Sequence, residues 1–413
     1  MTWDVAVTAE VMARRAAAPR LIAASIIGVV TGLVVLGLEH LVDGVLEEVF
    51  DGPVWVPALT VVAGALVTAA LVRWIGGRSS ATTEVYVEEF HEEDPTLDPT
   101  HAPGRLAAAF TTLGSGAPLG MEGPAVYTGS AIATLVRRRW PVLANEAHSV
   151  VLIAGAAAGI AAVFKAPASG AIFALEVPYR GRMAGERVLP AIFGSATGFL
   201  TMAIVDGVEP ELELPPVELT YGRSVSAVLL GAVIGCAAIG FIALLNRGEH
   251  LSSRGSPWIR ALAGGGVLAI LYAVGRGLAG ESLALGSGNN VIEWAIQPDH
   301  AVGLLLAVVV LRALGPAASI AGGGVGGLFI PLMALGAVIG RLFADALNAE
   351  ALVLDVTVGA ATMLGVGYAV PLTGVVFVAE YTGQATVILP SMLAMTTAML
   401  LVGSRSVSPA QQP

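Results

Sequence analysis

The chain reads as an all-α integral membrane protein, an inverted-repeat bundle of broken, tilted helices. Two features of its 413 residues point there. The first is composition: 55% of residues are hydrophobic and 13% charged, with a mean hydropathy of +0.79. Soluble domains carry about 25% charged residues. The second is an internal repeat. Gly155–Glu176 (GAAAGIAAVFKAPASGAIFALE) lies over Gly359–Glu380 (GAATMLGVGYAVPLTGVVFVAE) without a gap, at an offset of 359 − 155 = 204 residues, near half the chain. Gly, Ala, Ala, Pro, Gly, Phe and Glu coincide, 7 of 22 positions. Membrane folds built from two related halves hold their solute near the midplane, where short broken helices end. The 51 glycines fit helices that pack backbone to backbone and tolerate breaks.

Taken in order, residues 1–20 form a polar segment carrying Arg14, Arg15 and Arg20. The apolar run Leu21–Leu38 follows, long enough to cross a bilayer of about 30 Å at about 1.5 Å per residue. No A-x-A cleavage site closes it, so it is retained as the first helix. The arginines place the N-terminus in the cytoplasm by the positive-inside rule, and the localisation expected is the plasma membrane, crossed many times. The first repeat covers 21–205, with further apolar stretches at 54–74, 106–119, 125–135, 150–163, 168–177 and 188–205. A polar linker, 206–224, leads to the second repeat, 225–403, whose stretches are 225–245, 259–274, 301–314, 328–343, 356–366, 372–381 and 387–402. A short tail, 404–413, closes the chain, so no appended soluble domain is expected.

Many of these stretches hold only 10 to 17 residues, against the ~20 of a simple span. They stop partway or cross obliquely, and their ends must be buried or water-lined, because lipid satisfies no free N–H group. The formal charge of −10 gathers in 84–98 and 206–218, read as solvated connections that imply no nucleic-acid partner. Cys236 stands alone, which excludes an internal disulfide and a cysteine metal cluster.

Two glycine-rich junctions carry the candidate chemistry. In Gly114–Pro124 (GSGAPLGMEGP), Glu122 is flanked by Met121 and Gly123, with Gly120 before them and an apolar helix behind. Proline suits the first turn of a helix, and glycines leave backbone N–H groups open to an anion at the positive end of the dipole. Glu122 is thereby tethered where a free anion would bind, able to occupy the place as carboxylate or leave it when protonated. A capping carboxylate would be the structural reading, but an ionisable group at membrane depth points to function. The second junction is Gly322–Pro331 (GGGVGGLFIP), in which Gly327 falls on Gly123 by the repeat offset, 327 − 204 = 123. Inverted repeats bring two such helix N-termini together and make a site that favours anions. Phe329 and Ile330 would offer N–H groups there, and the Phe329 ring would close the path.

These residues resemble the CLC family of chloride channels and proton–anion antiporters. GMEGP is similar to the family's G-[KR]-E-G-P, GGLFIP to G-x-F-x-P, and KAPASG with AVPLTG to its paired A-P-x-x-G elements, across roughly 104–390. The resemblance implies a CLC-type homodimer in the lipid bilayer, with one pathway per subunit for chloride or another small anion. It implies Glu122 as the gating and proton-carrying glutamate. Gly120, Met121 and Gly123 with Gly327, Leu328, Phe329 and Ile330 would line the anion sites.

Departures from the family pattern matter equally. Its serine motif G-S-G-x-P has no counterpart about 40 residues before Glu122, where Arg78-Ser79-Ser80-Ala81-Thr82-Thr83-Glu84 stands; Ser80 or Thr82 is the substitute expected. Ala385 occupies the place of the family's coordinating tyrosine. Val177 stands where coupled antiporters often carry an inner glutamate, and Met121 where a cation is usual. Valine there favours passive, chloride-selective conduction gated by Glu122; the alternative is proton-coupled antiport of chloride or fluoride, since the fluoride branch works without that glutamate.

Three other features have milder readings. Lys165 raises local positive potential or snorkels to an interface. Glu176 and Glu380 are repeat-equivalent and bind helix ends. His91, among Glu88, Glu89, Glu92 and Glu93, belongs to a solvated acidic connection and not to a metal cluster. No cofactor or metal is expected, and no enzyme: there is no metal set, no nucleophile with a base, and GGGVGG lacks the Lys-Ser/Thr ending of a phosphate loop.

Overall fold

The computed structural model describes residues 2–75, 82–92, 96–143, 146–216, 219, 221–347 and 352–413, so Ser80 lies outside the described residues. Among them are sixteen α-helices and no strand, and eight helices are long and apolar enough to cross a membrane. In the first half run α1 (Thr2–Asp51), α2 (Val56–Trp74), α3 (Thr82–His91), α4 (Ala102–Gly114), α5 (Glu122–Arg139), α6 (His148–Phe164), α7 (Pro167–Glu176) and α8 (Val188–Asp206). The second half holds α9 (Tyr221–Ser252), α10 (Pro257–Ala279), α11 (Asn289–Ala295), α12 (Val302–Ala321), α13 (Phe329–Leu347), α14 (Leu352–Gly367), α15 (Pro371–Thr382) and α16 (Ile388–Val402).

The offset found in the sequence reappears in the backbone. α14 starts at Leu352 and α15 at Pro371, each 204 residues beyond the starts of α6 at His148 and α7 at Pro167 (352 − 148 and 371 − 167). Between each pair the chain turns through a left-handed non-glycine residue, Lys165 at φ 49° and Ala369 at φ 55°. The inversion is visible where α7 meets α15. Glu176, at the end of α7, accepts the N–H groups of Leu372 (3.1 Å) and Thr373 (2.8 Å) at the start of α15. Glu380, near the end of α15, accepts those of Ala168 (2.9 Å) and Ser169 (2.7 Å) at the start of α7. Each helix thus carries the carboxylate that satisfies the first turn of the other, as two helices running oppositely can do.

Glycine sets the helix spacing in both halves. A Cβ on Gly155 would lie 2.1 Å from the Gly129 carbonyl oxygen, joining α6 to α5, and one on Gly359 would lie 2.3 Å from that of Gly336, joining α14 to α13. Only a residue without a side chain permits that approach.

Three expectations change. The stretch 106–119 is helical only to Gly114, because the chain turns at Gly116, where φ is +92°. The connection 84–98, expected to be solvated, contains a packed helix: Val85, Tyr86, Val87 and Phe90 of α3 are buried, and the Tyr86 hydroxyl donates to the Ala174 carbonyl at 2.7 Å. Its acidic residues mask a buried apolar face. His91 correspondingly meets the Pro178 carbonyl at 2.8 Å and the Tyr179 ring, and no metal-ligating cluster occurs among the described residues. The tail, finally, is held in place. Val407 N–H donates to Gly367 (2.8 Å), Gln411 Nε2 to the Tyr368 carbonyl (2.7 Å) and Gln412 N–H to Pro178 (3.1 Å).

Candidate functional site

The two junctions meet. Gly120 and Gly327 pair antiparallel, with N–H to carbonyl distances of 2.8 and 2.7 Å, and this bridge clamps the start of α5 against the start of α13. The first N–H groups of a helix have no partner inside it. Here Phe329 N–H donates to Glu122 Oε1, and Leu328 N–H donates to the Tyr368 hydroxyl at 3.2 Å. Glu122 is fully buried, and its Oε2 has no hydrogen-bond partner. A carboxylate therefore sits on the positive end of α13 in the position of a bound anion, held through one oxygen.

Glycine is required on both sides of that carboxylate. A Cβ on Gly120 would lie 2.0 Å from Glu122 Oε2, and one on Gly327 would lie 2.1 Å from Oε1. Gly123 is buried in the first turn of α5, Met121 precedes it, and Ile330 is 2% exposed.

Aromatic rings enclose the other flank. Phe329 contacts Phe377 (4.8 Å between centroids), Phe164 (5.2 Å), Phe173 (5.3 Å) and Tyr368 (6.0 Å). The four neighbours are two repeat pairs, since 368 − 204 = 164 and 377 − 204 = 173, so one ring from α13 is wrapped by matching rings of both halves.

Two cavities reach this junction from different directions. A cavity of about 110 Å³ is lined by Met121, Ile330, Leu119, Glu39, Asp43 and Glu211, among others. Its one nearby cation, among the described ion pairs, is Lys165, 3.3 Å from Glu211. With methionine at 121, the carboxylates give that cavity a negative local potential. A second, small cavity of about 20 Å³ is lined by Gly327, Leu328, Tyr368, Thr83, Glu84 and Glu249, among others.

Glu122, Gly120, Met121, Gly123, Gly327, Leu328, Phe329 and Ile330 are brought together at the junction. Ala385 is not: it lies exposed in the turn between α15 and α16 and lines neither cavity, because that turn packs beside the end of α15. Val177 is fully buried at the end of α7. Lys165, besides its ion pair, donates to the Asp206 carbonyl at 3.3 Å. Tyr368, whose hydroxyl receives the N–H at the α13 start, belongs to no motif of the sequence. The repeat alignment held the signal: Tyr368 faces Phe164 across the offset, a phenol where the other half has a plain ring.

Residues 63–403 match the profile of the family described as "Voltage gated chloride channel". The "H(+)/Cl(-) exchange transporter ClcA" of Citrobacter koseri is 29% identical over 406 residues, covering 92% of this chain and 85% of that protein. That of Salmonella typhimurium is 28% identical over 406 residues, covering 92% and 84%. Among solved structures, a "slow cyanobacterial Cl-/H+ antiporter" superposes with a TM-score of 0.83 at 21% identity, covering 94% of this chain and 96% of the other. A "CLC-type fluoride/proton antiporter" does so with a TM-score of 0.83 at 21% identity, covering 96% and 98%. The fold is thus the CLC fold. With two apposed helix N-termini, a carboxylate between them and a family profile spanning most of its length, the chain belongs to the CLC family of anion-transport proteins, the voltage gated chloride channel family.

Proposed function

We propose that the chain exchanges a small anion for protons across the membrane, with Glu122 as both gate and proton carrier. The observation that carries the reading is the buried Glu122 carboxylate on the Phe329 N–H, one oxygen unpaired, between two cavities. As carboxylate it fills the anion's place. Protonated, it is neutral, binds the helix end more weakly and yields the N–H to chloride or fluoride. One group cannot hold both the anion's place and the proton at once, so the two fluxes are linked.

Passive conduction, the reading that Val177 favours in the sequence, loses ground on two counts. The curated relatives are named exchange transporters, and the Met121 cavity is lined by carboxylates. Chloride is the first anion to try and fluoride the second. A homodimer in the plasma membrane completes the proposal, with the N-terminus in the cytoplasm. The broad apolar exposure of α8 (Leu189, Ile192, Leu200 and Ile204) and α16 (Leu389 and Met392) supports contact with lipid or a second copy.

Purified protein in liposomes, loaded with chloride or separately with fluoride, tests the reading when internal pH is followed. Proton uptake driven against its gradient by anion movement is the expected result. Anion loss that needs only a potassium shunt and moves no protons would return the protein to passive conduction.

A further inference from the structure

We propose that Glu84 and Glu249 relay protons between Glu122 and the aqueous face beside the C-terminal tail, through the cavity they line with Tyr368. The inference rests on the exchange reading above. A carboxyl that trades protons with two solutions needs a route of titratable groups or water on each side of it, because helix N–H groups and phenyl rings carry none. The Met121 side has Glu39, Asp43 and Glu211. On the opposite side the rings of Phe164, Phe173, Phe329 and Phe377 close the direct path, and buried Val177 offers no proton. The cavity at Gly327 and Leu328 is an opening between them, and two of its lining residues are glutamates.

The groups are graded in depth. Glu249 stands in the last turns of α9, half-buried. Glu84, in the first turn of α3, is 7% exposed, and its Oε2 accepts the Ala410 N–H at 3.1 Å. Its charged neighbours are both carboxylates, Glu249 from α9 and Glu88 on its own helix; from the tail, the Ala410 N–H is its hydrogen-bond donor. Tyr368, at the end of α14, lies within electrostatic reach of both Glu84 and Glu122, and its hydroxyl already receives the Leu328 N–H. A second feature points to something bound between these groups. The Thr83 hydroxyl is 4% exposed, lines the same cavity and closes no hydrogen bond; Glu122 lies outside that lining, behind Gly327, with its Oε2 also unpartnered. The space is large enough for a water, and a water there would have Thr83, Tyr368 and Glu84 as partners.

The step balances simply. Glu249 takes a proton from solution and passes it to Glu84. The Glu84 carboxyl then loses its O–H proton through water in the cavity to the Glu122 carboxylate, which gains an O–H bond and releases Phe329 N–H. The reverse sequence returns the proton when Glu122 discharges to this side.

The test is the proton-to-anion ratio of the full chain in liposomes, for wild type, Glu84→Gln, Glu249→Gln and Glu84→Asp. The expected result is a ratio lowered about tenfold or more in Glu84→Gln, lowered less in Glu249→Gln, and restored in Glu84→Asp. Because Glu84 also pins the tail at Ala410, Glu84→Gln could lose both fluxes together; Glu249→Gln, which holds no tail contact, then decides. Wild-type ratios in Glu249→Gln and in any active Glu84→Gln overturn the relay while leaving exchange intact. A wild type that moves anions but no protons removes the exchange reading itself, and the relay with it.

Discussion

Alanine at Gly327 would put a methyl group where the Glu122 carboxylate sits. The added Cβ would lie 2.1 Å from Oε1, 2.2 Å from Cδ and 2.5 Å from Cγ of Glu122, far inside van der Waals contact. Something must move, and the backbone is the harder part. Gly327 has its N–H and its carbonyl paired with Gly120 at 2.7 and 2.8 Å, and α13 behind it is buried along most of its length. The carboxylate is held by the single Phe329 N–H, so it swings out. A hydrogen bond to a charged group contributes about 1.5–3 kcal/mol, and each ~1.4 kcal/mol is tenfold in population. The docked carboxylate should therefore fall by roughly 10- to 100-fold in occupancy. In liposomes, Gly327→Ala should lower the proton-to-anion ratio as far as Glu122→Gln does, and the double variant should add nothing, since both remove one interaction. Wild-type proton coupling in a folded Gly327→Ala protein would refute the docking argument. So would strict additivity of the two changes.

Three further outcomes follow from the same structure. Met121→Lys sets a cation in the cavity lined by Glu39, Asp43 and Glu211, and anion flux should rise at low salt and converge with wild type as ionic strength increases; flux equal to wild type at low salt would contradict the electrostatic reading of that mouth. Arg312 is fully buried and donates to the carbonyls of Leu285, Gly286 and Ser287, so Arg312→Met should leave those acceptors empty and destabilise the protein by at least about 3 kcal/mol, seen as a lower thermal midpoint in detergent. Glu176→Ala and Glu380→Ala each strip the first turn of the partner helix of its acceptor and should each cost about 2–4 kcal/mol; equal costs are expected from the inverted pairing, and a silent change at either would count against it.

The parts of the site that were legible share one property: they are local. A helix start announced by GMEGP or GGLFIP needs only a few neighbouring residues to be recognised, and the physical demand for glycine and proline there is written in the chain itself. The surroundings of Tyr368 and Glu84 were not legible, because each is met by a residue far along the chain: Leu328 for Tyr368 at 3.2 Å and Ala410 for Glu84 at 3.1 Å. The tail gave no periodic signal either, since its bonds to Gly367, Tyr368 and Pro178 are isolated and non-local. Acidic residues on α3 looked like a solvated run because charge was counted without knowing which face the helix turns inward.

Hydrophobic composition, the 204-residue offset and the two glycine junctions marked a membrane bundle of two repeated halves with Glu122 at a helix tip. Those features follow from composition, from self-similarity along the chain and from the backbone demands of glycine and proline, all of which can be read without knowing what touches what. Only the tertiary structure decided that the Glu122 carboxylate rests on the α13 N-terminus, that Tyr368 stands beside it, and that Ala385 lies away from it. Such facts depend on how two halves of the chain are inverted and pressed together, and contacts between residues some two hundred positions apart leave no mark on local pattern.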